Sequence, residues 1–289
     1  MPDKDGYIPG VPCWIDTSQP DPAKAAEFYG PLFGWEIEES MPAGASGSYL
    51  MARIRGRDAA AIGSQPEGAP PGAMWNTYIQ VESADETTEK VKAAGGSVIS
   101  EPFDIFDAGR MAVLADPQGA VFCVWQPKEM KGTQVDNEHG AINFNDLHTD
   151  DIEGAQAFYG EVFGWGALDM GGGNHTWTLK AYGDHLEELN PGNRERMKEM
   201  GAPEGFADVV ASLGPVEGGQ PPSWGVTFGV DSADDVAAKA KELGGEVLAG
   251  PFDAPWVRLA IIRDPQGATF TAGQFVPENA DMPTADATA

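Results

Sequence analysis

The chain has 289 residues, and 45 acidic against 18 basic side chains give it a formal net charge of −27. A surface of that sign repels phosphate backbones and anionic lipid, which sets aside nucleic-acid and membrane-surface partners. No apolar stretch is long enough to span a bilayer, the start lacks a basic region followed by an apolar run, and Cys13 and Cys123 are too few for a disulfide framework. A reduced, cytoplasmic protein is expected. The length suits two domains, each able to bury its own core, and 37 Gly with 23 Pro imply tight turns between short elements.

In chain order, residues 11–17 read as a strand, and Asp21-Pro22 follows as a helix N-cap with proline at the first helical position. The helix carries Phe28, Leu32 and Phe33 on one face, and Gly34 supplies a left-handed stop. Strands are predicted at 35–39, 48–54 and 59–63, and a Pro/Gly-rich connector at 65–72 opens a second round. That round has a strand at 75–81 and a helix to Ala94 behind the capping box Ser83-Ala84-Asp85-Glu86. Strands at 97–100, 111–115 and 121–126 complete it, the last two joined by the type I turn Asp116-Pro117-Gln118-Gly119.

The order then repeats. Ala25-Ala26-Glu27-Phe28-Tyr29-Gly30-Pro31-Leu32-Phe33-Gly34-Trp35 returns as Ala155-Gln156-Ala157-Phe158-Tyr159-Gly160-Glu161-Val162-Phe163-Gly164-Trp165, at an offset of 130. Trp75 and Trp224 are offset by 149, and Asp116 and Asp264 by 148, so the added residues lie between Trp165 and Trp224. They are assigned to residues 183–206, where 193–200 is polar and helix-prone. An insertion of this length implies a cover over or beside the second-half cavity. The expected domains are 1–132 and 133–276, with a boundary near 128–139 and a disordered acidic tail at 277–289.

Four βαβββ units, the Phe-Tyr-x-x-x-Phe-Gly-Trp helix and the Asp-Pro-Gln-Gly turn before the last strand resemble the vicinal oxygen chelate superfamily. That group holds glyoxalase I, bleomycin-resistance proteins, extradiol dioxygenases and methylmalonyl-CoA epimerase. The likeness covers roughly residues 8 to 276, and in its tandem form it is similar to actinobacterial glyoxalase-like proteins. It implies an α+β fold of two tandem half-barrels, each around a cavity. Enzymes of the superfamily hold a divalent metal there on His and Glu from the first and last strands. Counting from the helix and turn signatures, those positions are Trp14, Asn76 and Cys123 in the first half and Phe144, Gly225 and Thr271 in the second. None is His, Asp or Glu, so neither metal nor other cofactor is expected. Whether cavities pair units within a half or across halves stays open, as does the oligomeric state.

Period-two alternation from these positions turns Trp14, Asp16 and Ser18 inward, and likewise Phe144, Asp146 and His148. Asn76, Tyr78 and Gln80 face them in the first half, and Gly225, Thr227 and Gly229 in the second. The ligand-binding candidates are therefore Trp14, Asp16, Asn76, Tyr78, Phe144, Asp146, His148 and Thr227. Asp146 and His148 form the one candidate acid–base pair, although a carboxylate recurring at Asp16 favours a structural role for the Asp146 carboxylate. Cys123 is read as inward and Cys13 as facing the helix. Arg110 and Arg258 are assigned to structural ion pairs, and Gly171-Gly172-Gly173 to a hairpin turn. The expected function is metal-independent binding of a small organic molecule, mainly in the second half. The alternative is an enzyme: a lyase, isomerase or dioxygenase with an atypical metal site, or a metal-free catalyst using Asp146 and His148.

Overall fold

Each half builds one eight-stranded mixed sheet in the computed structural model, which describes residues 6–42, 44–66, 72–171, 174–216, 219–280 and 282. The first βαβββ unit is β1 (Pro12–Gln19), α1 (Pro22–Phe33), β2 (Glu36–Glu39), β3 (Tyr49–Ile54) and β4 (Arg57–Ser64). The second is β5 (Met74–Gln80), α2 (Ala84–Ala93), β6 (Ser97–Ile105), β7 (Gly109–Ala115) and β8 (Val121–Pro127). The third is β9 (Ile142–His148), α3 (Ile152–Phe163), β10 (Gly166–Gly171) and β11 (Asn174–Thr178), then the inserted α4 (Lys180–Leu189) and α5 (Asn193–Glu199), then β12 (Val209–Gly214). The fourth is β13 (Ser223–Gly229), α6 (Ala233–Glu242), β14 (Glu246–Ala254), β15 (Val257–Arg263) and β16 (Thr269–Phe275).

The strand orders are β2-β3-β4-β1-β5-β8-β7-β6 and β10-β11-β12-β9-β13-β16-β15-β14. In every unit the last strand returns parallel to the first, and two units join through the antiparallel pairs β1–β5 and β9–β13. The sheets thus pair units within a half. The helices begin where the sequence places them. Asp21 accepts from the Lys24 N–H at 3.2 Å and Asp151 from the Gly154 N–H at 2.9 Å, while Ser83 and Ser232 cap α2 and α6 in the same way. Gly34 and Gly164 end α1 and α3 at φ 68° and 73°.

A 12-residue helix is marginal alone, and α1 and α3 each pack between their own sheet and elements of the other half. Phe28, Tyr29, Leu32 and Phe33 of α1 bury themselves among Val236 and Ala240 of α6 and Phe228 and Phe270 of the second sheet. Phe158, Tyr159 and Val162 of α3 do the same with Val91 of α2 and Leu114 and Phe122 of the first sheet. Each such side chain contributes about 1.5–3 kcal/mol on burial, so the two cores are joint property of both halves.

The two repeated motifs interlock at this seam. Tyr29 in α1 donates to Asp264 Oδ2 at 2.9 Å and accepts from Trp75 Nε1 at 3.1 Å. Tyr159 in α3 donates to Asp116 Oδ2 at 3.1 Å and accepts from Trp224 Nε1 at 2.9 Å. The aspartates open the Asp-Pro-Gln-Gly turns, and Gln266 of one turn also brackets Asp21, accepting from its N–H and donating to its carbonyl, both at 2.8 Å. Residues 128–141 are a tied strap: Thr133 N–H reaches the Cys13 carbonyl, Gln134 N–H the Asp58 carbonyl, and Gly140 N–H the Gly229 carbonyl.

Some expectations change. β6 runs to Ile105, well past residue 100, because its pairing with β7 continues through register shifts. Cys13 does not face the helix; an irregularity between Pro12 and Trp14 breaks the alternation and turns it into the interior cluster with Trp14 and Cys123. The insertion begins earlier, with α4 starting at Lys180. At the expected disordered tail, Pro277–Asn279 forms a 3₁₀ turn, and Asn279 Nδ2 donates to Asp253 Oδ1 at 3.2 Å; residues 281 and 283–289 lie outside the described set. Gly172 and Gly173 also lie outside it, while Gly171 pairs with Asn174 where β10 meets antiparallel β11. No helix among the described residues is long and apolar enough to cross a membrane.

Candidate functional site

With the helices committed to the seam, each sheet has its other, concave face free for a site. Register aligns the two faces row by row. Glu38, Met51, Ala61, Asp16 and Asn76 run across the first sheet, and Leu168, Thr176, Ser212, Asp146 and Gly225 across the second. A second row reads Trp14, Tyr78, Cys123 and Val113 in the first half, and Phe144, Thr227, Thr271 and Ile261 in the other. A third puts Trp125 beside Met111, where the second sheet has Gly273 beside Leu259.

In the first half the bulky members close the face. Trp14, Tyr78 and Trp125 are 3%, 7% and 6% exposed, packed with Met111, Cys123, Tyr49 and Met51. Trp14 Nε1 donates to Tyr49 OH at 3.0 Å and Trp125 Nε1 to the Met130 carbonyl at 3.0 Å. Asp16 sits inside, accepting from Tyr78 OH at 2.8 Å, Tyr49 OH at 3.0 Å and Asn76 Nδ2 at 2.8 Å. Burial raises its carboxyl above the usual carboxylate range, against the opposing pull of those three donors. Gln80 Nε2 is bonded to the Tyr7 carbonyl, so the N-terminal segment covers this end. The candidates Trp14, Asp16, Asn76 and Tyr78 are thus brought together, and they occupy one another.

In the second half Thr227 and Gly273 replace Tyr78 and Trp125, and Phe144, Asp146, Ser212, Gly225, Leu259, Ile261 and Thr271 are all only half-buried. Asp146 accepts from Thr227 Oγ1 at 2.7 Å and from Ser212 Oγ. Thr176, one strand beyond Ser212, keeps its hydroxyl buried with no hydrogen-bond partner. His148 stands at the end of β9, exposed, with its Nε2 3.7 Å from where a Cβ on Gly225 would sit. In the first half Asn76 fills that place and bonds Asp16 and Ser18. Glycine at 225 therefore leaves the imidazole room over the floor of the face.

The end of the insertion, a roof segment at 201–205, bridges the two edges of this sheet. Arg194 Nη2 ties Asp184 at 2.9 Å to Asp208 at 2.8 Å, and Glu187 accepts from the Gly192 and Arg194 N–H groups. Beyond α5, a Cβ on Gly201 would lie 3.6 Å from the Trp256 indole, and one on Gly205 would lie 4.0 Å from the Leu168 side chain. Leu168 is on β10, and Trp256 in the hairpin between β14 and β15, at opposite ends of the strand order. Four residue steps reach at most about 14 Å, so the sheet curls until this short segment joins its two edges.

The chelate positions do not fit a divalent metal. Phe144, Gly225 and Thr271 supply no imidazole, carboxylate or thiolate, and nor do Trp14 and Asn76. Burial pushes the Cys123 thiol far up, with the nearby Asp16 charge adding to it, so it stays protonated. No three His, Cys, Asp or Glu side chains gather as a metal cluster among the described residues. Arg110 is held by Asp85 and Asp104, and Arg258 by Asp234 and Asp253; both are structural pairs. Sequence reasoning missed Ser212 and Thr176, and also Tyr49. The signal for the first two lay in setting the halves side by side, where they replace Ala61 and Met51.

The profile of the glyoxalase/bleomycin resistance protein/dioxygenase superfamily matches residues 14–124 and 141–271. "Putative glyoxylase CFP32" of Mycobacterium tuberculosis (strain CDC 1551 / Oshkosh) is 38% identical over 283 residues, covering 96% of this chain and 100% of that protein. "Anthracycline biosynthesis protein DnrV" of Streptomyces peucetius is 34% identical over 280 residues, covering 92% and 93%. Among solved structures, the Mn(II)-bound glyoxalase of Novosphingobium aromaticivorans superposes with a TM-score of 0.59 at 16% identity, over 92% of this chain and 82% of that one. The 2,3-dioxygenase LapB of Pseudomonas sp. KL28 gives 0.60 at 12% identity, over 93% of each. At those identities the structures share the fold alone.

Proposed function

Given that the chain belongs to the glyoxalase/bleomycin resistance protein/dioxygenase superfamily, we propose that it binds a small organic molecule on the concave face of its second half, without the superfamily's His/Glu chelate. The observation that carries this reading is the contrast in bulk: Trp14, Tyr78 and Trp125 close one face, while Phe144, Thr227 and Gly273 leave the matching face open beneath a roof. Asp146 is the polar anchor, held by Thr227 and Ser212, and Thr176 offers a hydroxyl that a ligand would satisfy. The streptomycete relative's place in anthracycline biosynthesis supports a natural-product-sized ligand. The first half acts as scaffold, with Asp16 structural.

A second reading, metal-free acid–base catalysis by Asp146 and His148, is favoured by the imidazole lying over Gly225 at the same face. The test is a thermal-shift and calorimetric screen of organic metabolites on wild type, Asp146→Asn, His148→Ala and Asp16→Asn. Hits should lose affinity in Asp146→Asn and keep it in Asp16→Asn. The reverse pattern refutes the assignment to the second half. For a hit that is turned over, a loss in kcat larger than the loss in affinity on His148→Ala selects the catalytic reading.

A further inference from the structure

Bulk withdrawn from the second interior reappears at its mouth. Counting by the shared offset, Trp256 and Phe275 stand where the first half has Ala108 and Pro127. Their rings lie 6.2 Å apart between centroids and within 5° of parallel, and Phe275 is 55% exposed. A lone exposed aromatic needs no explanation. This pair does, because its rings stack and the roof crosses directly against the indole at Gly201. Trp256 holds a left-handed backbone, φ 68°, as Phe106 does at φ 45° in the matching first-half hairpin, so the turn sets that angle in both. Below the pair, the face offers Leu259 and Ile261 as an apolar wall, then the Asp146 carboxylate, with the unpartnered Thr176 hydroxyl beyond it.

We propose that Trp256 and Phe275 form the aromatic wall of the second-half site and select a flat aromatic molecule bearing a hydroxyl or amine donor for Asp146. The inference rests on the binding reading above and adds the ligand class to it. The parallel rings present a planar edge to the entrance, the roof limits thickness, and a carboxylate at the floor accepts from the donor. A globular ligand of equal charge would meet the same carboxylate and gain nothing from the rings.

The test uses two cationic amines, proflavine (a flat tricyclic diamine) and 1-aminoadamantane (a globular one), titrated by calorimetry at physiological salt so that the acidic surface is screened. Proflavine should bind with 1:1 stoichiometry and weaken about tenfold or more in Phe275→Ala and in Trp256→Gly, on the scale of a lost stacking partner with its buried area. Trp256→Gly removes the ring while relaxing the left-handed backbone, so misfolding does not account for its loss, and Trp256→Phe should restore most of the affinity. Asp146→Asn should weaken proflavine as well. If both amines bind through Asp146 and neither responds to Trp256→Gly or Phe275→Ala, the aromatic wall is wrong while the cavity reading stands. If neither amine binds through Asp146 at millimolar concentration, the wall and the cavity reading fall together.

Discussion

Replacing Tyr159 by phenylalanine tests the interlock between the halves with a single oxygen atom. The hydroxyl donates to Asp116 Oδ2 at 3.1 Å and accepts from Trp224 Nε1 at 2.9 Å, and the ring is fully buried. A hydrogen bond to a charged group is worth about 1.5–3 kcal/mol, and a stranded buried indole N–H costs about 1–3 kcal/mol. The two losses share one atom, so a total of about 2–4 kcal/mol is expected. At about 2–4 °C per kcal/mol for a chain of this size, Tm should fall by roughly 4–16 °C. Tyr29→Phe is the internal comparison. Its acceptor, Asp264 Oδ2, also accepts from Gln19 Nε2 at 2.7 Å, whereas Asp116 Oδ2 has no second side-chain donor among the described residues. Tyr29→Phe should therefore cost less. Scanning calorimetry reads both, and because each core mixes the halves, one cooperative transition should persist. A Tyr159→Phe shift below 1 °C, a larger loss for Tyr29→Phe, or a melt split into two transitions would each refute the reasoning.

The remaining predictions follow from the two faces and the roof. Gly225→Asn should rebuild the first-half arrangement, displacing His148 and donating to Asp146, and so weaken ligand binding at least tenfold with Tm unchanged or higher, as read by calorimetry. Asp16 holds its proton to higher pH when folded than its unfolded value of about 3.9, so the stability it adds is complete below that value and declines as pH rises through the folded pKa. Asp16→Asn should flatten that decline, visible as a smaller fall in Tm from about pH 4 to neutral than in wild type. A Cβ on Gly183 would lie 2.9 Å from the Ala207 carbonyl and closer still to Asp208 and Arg194, so Gly183→Ala should loosen the roof by about 1–3 kcal/mol. Limited trypsin digestion should then cut at Arg194, Arg196 or Lys198 several-fold faster while the global Tm moves little. Elemental analysis of purified protein should find well under one transition metal per half.

Local signals carried most of the fold. Asp21-Pro22, Ser83, Gly34 and the Asp-Pro-Gln-Gly turns act over a few residues, and each marks a boundary in the structure as it does in the sequence. The inward set followed from counting along strands, and Trp14, Asn76, Phe144, Gly225, Cys123 and Thr271 do line the two faces. What escaped depends on partners far apart in the chain. Nothing near Tyr29 announces Asp264, because the bond needs four units assembled before it exists. Cys13 escapes the count because an irregular pairing between Pro12 and Trp14 breaks the alternation there, while Trp14 and Asp16 beyond it keep their expected face. The landing of the roof on Trp256 was hidden for the same reason as the tyrosine bond. The bulk of Trp125 against Gly273 can be compared from sequence alone, whereas the part Tyr49 plays depends on its bonds to Trp14 and Asp16.

The crossed helix cores have a consequence for how such a molecule can change. Two identical halves clasped through each other's helices would form a symmetric dimer, and any alteration of one cavity would strike its twin. Joining them by the strap at residues 128–141 breaks that bond between copies. One half can then fill its interior with tryptophan and tyrosine and become a rigid mould for its neighbour's helices. The other is released to vary the side chains of its own face, with part of its stability supplied from next door.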